Sequence, residues 1–266
     1  MNTTYIEHHG VLGQKWGVRR YQNYDGTLKN KSNFAEVSNK TIKINSDGSQ
    51  TIPTGFKFNR VGKSQMDVNK SGGLYVSYGK EDAARYVKNL GPTPISKLLG
   101  TAGEAVQHIT VKESLHVPSD KQTASEVAQL LLNNSKMLDD FNESLYSLAV
   151  TGDFDTRITK SDLEKAVSNP ESKQAQKISY GISSYLGDEN YASESKVVYE
   201  HFRAKGFDAI PDIHDRLSGT STSAMIVINP DKVEVTSITY ITKDVMRSAK
   251  QYVKSIEKLK VSDILK

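Results

Sequence analysis

The most constraining feature of this chain is the order of its periodicities: β-type alternation, then helical spacing, then β-type alternation again. Over residues 121 to about 149 the apolar positions Val127, Leu130, Leu131, Leu138, Phe141, Leu145 and Leu148 recur every three or four residues. That is the spacing of one helix face and predicts a helix pair. Ser161 is placed to cap a helix over Leu163 to Val167, Pro170 breaks it, and Ile178, Ile182 and Tyr185 share the face of the next. Residues from about 120 to 190 therefore read as a helical insertion. A further helix over 194–204 ends at Gly206, which supplies a left-handed cap.

The flanks read as strands. Thr41 to Ile44 and Gln50 to Ile52 alternate around Asn45-Ser46-Asp47-Gly48-Ser49, and Asp-Gly between such runs is a strong hairpin signal. Residues 55–62 alternate aromatic with polar, and residues 72–79 are rich in β formers. A helix follows at 80–87, with Ala83, Tyr86 and Val87 on one side, and is expected to close at Gly91-Pro92. Pro94 opens a short amphipathic piece through Ile95, Leu98 and Leu99. Further strands are expected at 106–111, 207–210 and 223–228, and at 233–240 after an Asn229-Pro230-Asp231 turn. Strands, helices and strands again indicate an α+β domain of small mixed or antiparallel sheets with a helical insertion, not a wound parallel sheet. The expected division is an arm over residues 1–38, the α+β domain over 39–242, and an amphipathic basic helix over 243–266. In that helix Val245, Ala249, Tyr252, Val253, Ile256 and Leu259 form the stripe, and Arg247, Lys250, Lys254 and Lys258 lie outside it.

Composition removes several function classes. With 266 residues and 36% hydrophobic content the chain can bury one substantial core. No segment approaches the roughly 20 apolar residues of a membrane span, and Glu7, Lys15, Arg19 and Arg20 stand where a signal peptide needs an apolar core, so no membrane partner is expected. Zero cysteines exclude disulfides and thiolate metal sites and suit a cytoplasmic protein. A net charge of +4 is no nucleic-acid signature unless it is concentrated on one face. Gly72-Gly73 lacks the frame of a phosphate loop. His8 and His9 are adjacent and cannot form an i, i+4 metal pair. The acids of residues 153–164 have calcium-loop spacing, but Arg157 replaces a ligand and Ile158 replaces the turn glycine. No metal is therefore expected.

The run His8-His9-Gly10-Val11-Leu12-Gly13-Gln14-Lys15-Trp16-Gly17-Val18-Arg19-Arg20-Tyr21 contains the only Trp and fits no ordinary element, because Gly10, Gly13 and Gly17 weaken helix and strand alike. It resembles a short module of tailed-bacteriophage and prophage proteins, often head-associated and joined to unrelated domains. The resemblance covers residues 8 to about 29. It implies a tag that binds head or other virion proteins through His8, His9, Gly10, Gly13, Trp16, Gly17, Arg19 and Arg20, and a location in the bacterial cytoplasm, the virion, or both.

The body offers a distributed arrangement: Arg60 late in a strand, Tyr75-Val76-Ser77 in the next, a helix after it, and Gly206-Phe207-Asp208-Ala209-Ile210 before a final strand pair. Over residues 54–240, minus the insertion, this order is similar to that of the ADP-ribosyltransferases, which bind NAD between two small sheets. The resemblance implies that Arg60 holds the dinucleotide phosphates and that Tyr75 or Ser77 orients the nicotinamide ribose. The family's late Glu has no counterpart. No Glu-x-Glu or Gln-x-Glu precedes the final strands, and the available acids are Asp212, Asp215 and Glu234. Arg60, Ser77 and Asp212 are thus the expected catalytic set, with Arg60, Tyr75 and Ser77 for the cofactor NAD. Two functions follow. One is a virion-associated effector, active or degenerate, that acts on a host protein or nucleic acid; the other is a non-enzymatic structural or interaction protein of the particle. Behind these stands a third class, nucleic-acid binding through Lys15, Arg19, Arg20 and the basic final helix, for which no base-reading motif is present.

Overall fold

The computed structural model describes residues 34–64, 66, 68–94, 98, 102–149, 157–217 and 220–264. The leader module of residues 8–29 lies outside them, as do Ile95, Leu99 and residues 153–156 of the calcium-like loop.

Among the described residues nine short strands form three antiparallel sheets. Strands β1 (Lys43–Ile44) and β2 (Gln50–Ile52) make the expected hairpin, and β6 (Leu115–Val117) extends it. Gly48 takes the left-handed conformation that the turn requires, at φ 82°. The second sheet has β5 (Ala105–Val111) between β3 (Lys57–Gly62) and β9 (Val233–Tyr240). The third has β8 (Met225–Val227) between β4 (Leu74–Val76) and β7 (Ala209–Pro211). Ile52, Phe58, Leu74, Ile109, Leu115 and Val227 come from all three sheets and fill one inter-sheet core.

Between β6 and β7 the described residues form a block of five α-helices: α2 (Asp120–Asn133), α3 (Ser135–Ala149), α4 (Lys160–Ser168), α5 (Lys173–Gly187) and α6 (Ala192–Ala204), with α1 (Lys80–Leu90) earlier in the chain. The helical block thus runs to residue 204, past the expected limit of 190. Val127, Leu131, Phe141, Leu163, Ile178, Ile182 and Tyr185 form its core, which continues into the third sheet through Ile210 and Ile226. The cap of α4 is Thr159, not Ser161. Thr159 and Asp162 close a reciprocal capping box that satisfies two otherwise orphaned N–H groups.

Helices α1 and α8 (Lys243–Ile264) share a third core, made of Ala83, Ala84, Val87, Val245, Met246, Ala249 and Val253. Phe34 and Ala35, within the expected arm, are buried in it. Helix α1 closes at Gly91 as expected, with the glycine in extended backbone at φ −65° and its N–H donating to Val87 O. A Cβ there would stand 2.4 Å from both Met246 Sδ and Val87 O, so the glycine permits a close approach of α8 to the end of α1.

Candidate functional site

Strands β3 and β4 belong to different sheets and touch at a single antiparallel bridge, Asn59 to Ser77. Asn59 N–H donates to Ser77 O at 2.7 Å, and Ser77 N–H donates to Asn59 O at 3.0 Å. Past that bridge the strands part. The residues that would have paired next, Arg60-Val61 on one side and Tyr75-Val76 on the other, line a cavity of about 190 Å³. Tyr86 and Leu90 of α1 and Asp212, Asp215 and Ala224 complete its wall. Arg60, Tyr75, Ser77 and Asp212, from three separate stretches of sequence, are thereby brought to one place.

Each has a distinct environment. Ser77 is 1% exposed, and its Oγ has no hydrogen-bond partner among the described residues. Burying an unpaired hydroxyl costs on the order of 1–3 kcal/mol; among the described residues Ser183 Oγ, the Tyr185 hydroxyl and Arg216 Nε are also buried without a partner, and of the four only Ser77 lines this cavity. Arg60 reaches Gln107 Oε1 with Nη1 at 3.4 Å. Its guanidinium lies against Gly62, where a Cβ would come within 2.7 Å of Nη1. The Tyr75 hydroxyl donates to Ser183 O of α5 at 3.2 Å, which ties the cavity wall to the helical block. Burial pushes its phenol pKa well above the ordinary value.

The acidic cluster after β7 is not a charged turn in water. Asp212 is 4% exposed, and Asp215 sits on α7 (Ile213–Leu217), a single helical turn whose Asp215 N–H donates to Asp212 Oδ1 at 3.2 Å. Burial, and after it the nearby charge of Asp215, raise the Asp212 pKa. Burial would raise Asp215 too, but the hydrogen bonds of His214 and Tyr86 outweigh it and leave its pKa below the ordinary value. The Tyr86 hydroxyl donates directly to Asp215 Oδ2. His214 Nδ1 stands 3.6 Å from Asp215 Oδ1, and the contact raises the imidazole pKa. Two carboxyls in one cavity are thus pushed in opposite directions, the pattern by which a site assigns different protonation states to like groups. Glu234, the third candidate acid, is solvent-exposed on the edge strand β9 and does not line the cavity.

Three residues that hold the site were not singled out for it by sequence. Tyr86, read as part of the apolar side of α1, instead lines the cavity while Ala83 and Val87 pack beneath α8. The Asn59 side chain accepts from Glu36 N–H at 2.8 Å and donates to Glu36 O at 2.9 Å, fastening the first described residues to the cavity strand. Asp82, 1% exposed in the first turn of α1, accepts from Ser221 Oγ at 2.7 Å, Thr222 N at 3.1 Å and Ser223 N at 3.0 Å. It anchors the loop that delivers Ala224. The sequence signal for Asp82 was only an acid near a helix start, which has an ordinary explanation in the helix dipole.

Among the described residues no group of three His, Asp or Glu side chains could hold a metal ion, and no helix is long and apolar enough to cross a membrane. Compared with known protein families, curated proteins and solved structures, the chain matches none.

Proposed function

We propose that the cavity between β3 and β4 takes the nicotinamide end of NAD, and that the body is an ADP-ribosyltransferase-like unit carried behind a phage-head leader. The observation that carries this reading is the unpartnered, buried Ser77 hydroxyl, which lines a cavity together with Arg60, Tyr75 and two carboxyls. A buried polar atom with no partner is tolerated most readily where a ligand completes it. The residues fit the group in kind. Arg60 is a forked cation suited to phosphate oxygens, and Ser77 can donate to or accept from a sugar hydroxyl. The Tyr75 ring is a fixed wall whose own hydroxyl is engaged. At about 190 Å³ the cavity is smaller than the roughly 300–1,000 Å³ of small-molecule pockets, so it suits one end of a dinucleotide rather than the whole.

NAD would supply a transferable ADP-ribosyl group, with positive charge developing on the sugar as nicotinamide leaves. The carboxylate suited to face that charge is Asp215, because Tyr86 and His214 hold it ionised. Asp212, whose pKa is raised, is the poorer electrostatic partner and serves to cap α7. A second reading, a binding module without turnover, is favoured by one observation: the groups that keep Asp215 ionised also occupy its oxygens. The phage-particle assignment rests on the resemblance of residues 8–29.

Titration calorimetry of the full chain with NAD tests the reading. Saturable binding is expected, weakened at least tenfold in both Arg60→Ala and Ser77→Ala. No binding at millimolar NAD, or binding that neither substitution alters, refutes it. Nicotinamide release by the wild type that is lost in Asp215→Asn with binding retained identifies the transferase; binding without release identifies the module. Mass spectrometry of purified particles from the encoding phage tests the leader.

A further inference from the structure

Positive charge among the described residues is concentrated on one face. A groove of about 1,170 Å³ runs between the end of α1 and the outer face of α8, and Lys88, Lys243, Arg247, Lys250 and Lys254 line it with Glu257 as the one acid among the described lining residues. All five cations are on exposed positions. Lys88 approaches Glu257 at 3.9 Å and Arg247 approaches Asp244 at 3.7 Å, loose surface contacts that leave a strongly positive strip. The four cations of α8 lie at i, i+4, i+7 and i+11. At the helical rise of about 1.5 Å per residue they stand roughly 4.5–6 Å apart along a line of about 16 Å.

We propose that this groove binds the sugar-phosphate backbone of a nucleic acid. Sequence reading set the condition that the charge be concentrated on one face, and the packing of α8 meets it. Charge complementarity with a regularly spaced polyanion is the argument for the occupant. A membrane surface is disfavoured because an interfacial helix must insert its apolar face, whereas Val245, Met246, Ala249 and Val253 are all buried beneath α1 and its neighbours. An acidic protein is disfavoured because protein interfaces depend on large apolar or aromatic anchors seated in pockets. Of the apolar residues of this groove, Ile241, Met246 and Val253 are each at most 8% exposed, and the two that reach solvent, Pro92 and Pro94, are neither aromatic nor long aliphatic side chains. What the groove presents is cation after cation. Phosphate contacts of this kind position a strand without reading its bases. The inference does not depend on what the β3–β4 cavity binds, although α1 contributes to both, through Tyr86 and Leu90 to the cavity and Lys88 to the groove.

Anisotropy titrations of the full chain with a labelled 20-nucleotide single strand, and with its duplex, test the proposal. Engagement of all five cations gives log K against log salt slopes of about −3.5 for the single strand and about −4.5 for the duplex. Affinity should then fall on the order of a hundredfold or more between 50 and 200 mM salt. The triple variant Arg247→Glu, Lys250→Glu, Lys254→Glu should lose at least tenfold in affinity at 50 mM salt. The control Lys160→Glu, Lys173→Glu, Lys196→Glu carries the same change of charge on exposed positions outside the groove and should lose less than threefold, with circular dichroism confirming that both variants fold. Absence of binding at 50 mM salt, equal losses in the two triples, or tighter retention on polyglutamate or anionic vesicles than on nucleic acid would each overturn it.

Discussion

Replacing Asp82 with alanine should be among the most destabilising single changes in the body, although the residue is polar and sits at a helix start. Its carboxylate accepts the hydroxyls of Ser221 and Ser223, a longer contact from the Thr222 hydroxyl, and two backbone N–H groups, from Thr222 and Ser223. Ser221 and Ser223 are buried, at 1% and 2% exposure, while Thr222 reaches solvent. Truncation therefore strands the Ser221 hydroxyl away from water, leaves the Ser223 N–H only Ser221 Oγ at 3.1 Å and the Ser223 hydroxyl only Tyr78 O at 2.7 Å, and frees Thr222 to rehydrate. At roughly 1–3 kcal/mol for a buried unsatisfied donor, the loss is about 2 kcal/mol. For a body of this size that corresponds to a fall in Tm of about 4–8 °C. The Ser223 hydroxyl accepts from Tyr78 N–H at 2.9 Å, so loosening it also frees the chain just beyond β4. Urea and thermal unfolding of wild type and Asp82→Ala measure the effect. A loss below about 1 kcal/mol would mean that the loop finds other partners and that Asp82 does not anchor the cavity wall.

Three further changes test the same logic. Ser77→Ala should stabilise the free protein by up to about 1 kcal/mol, since it removes an unpaired buried hydroxyl, while weakening ligand binding; a loss of Tm would show that the hydroxyl has an internal role. Asp212→Asn should raise Tm at pH 7. The folded pKa of Asp212 is raised above 3.8, so the stability it contributes is complete below about pH 3.8 and is lost as pH rises through the folded value. The gain of the Asn variant should therefore vanish by pH 3, and a gain independent of pH would refute the assignment. Gly91→Ala should cost about 1–3 kcal/mol by forcing α8 away from the end of α1, because its added Cβ meets Met246 Sδ and a backbone oxygen at 2.4 Å; a neutral result in chemical denaturation would show that this junction has slack.

Much of the element order is legible locally. The Asp47-Gly48 hairpin, the helical spacing of Val127, Leu131, Phe141, Ile178 and Ile182, and the stop at Gly206, whose φ is 84°, each express a short-range rule. The α+β class follows from their order. A local signal can also have a second use. Glycine commonly ends helices, and Gly91 does close α1, yet it is also needed for contact with Met246, 155 residues later. Ser161 is a plausible cap by type, but Thr159 has Asp162 three residues on and closes the reciprocal pair.

The candidate site is a different matter. Sequence by itself determined which residue types were available: one arginine late in a strand, a serine two residues after a tyrosine in the next, and acids behind an apolar strand. Only the tertiary structure decided that β3 and β4 touch at one bridge and then part, because the two strands obey the pairing demands of different sheets. That divergence makes a cavity out of residues up to 165 positions apart, from Asn59 to Ala224. It also buries Asp212, holds Asp215 ionised through Tyr86 and His214, and leaves Ser77 without a partner. Protonation and hydrogen-bond satisfaction depend on what surrounds a group in space. No spacing rule along the chain contains that information.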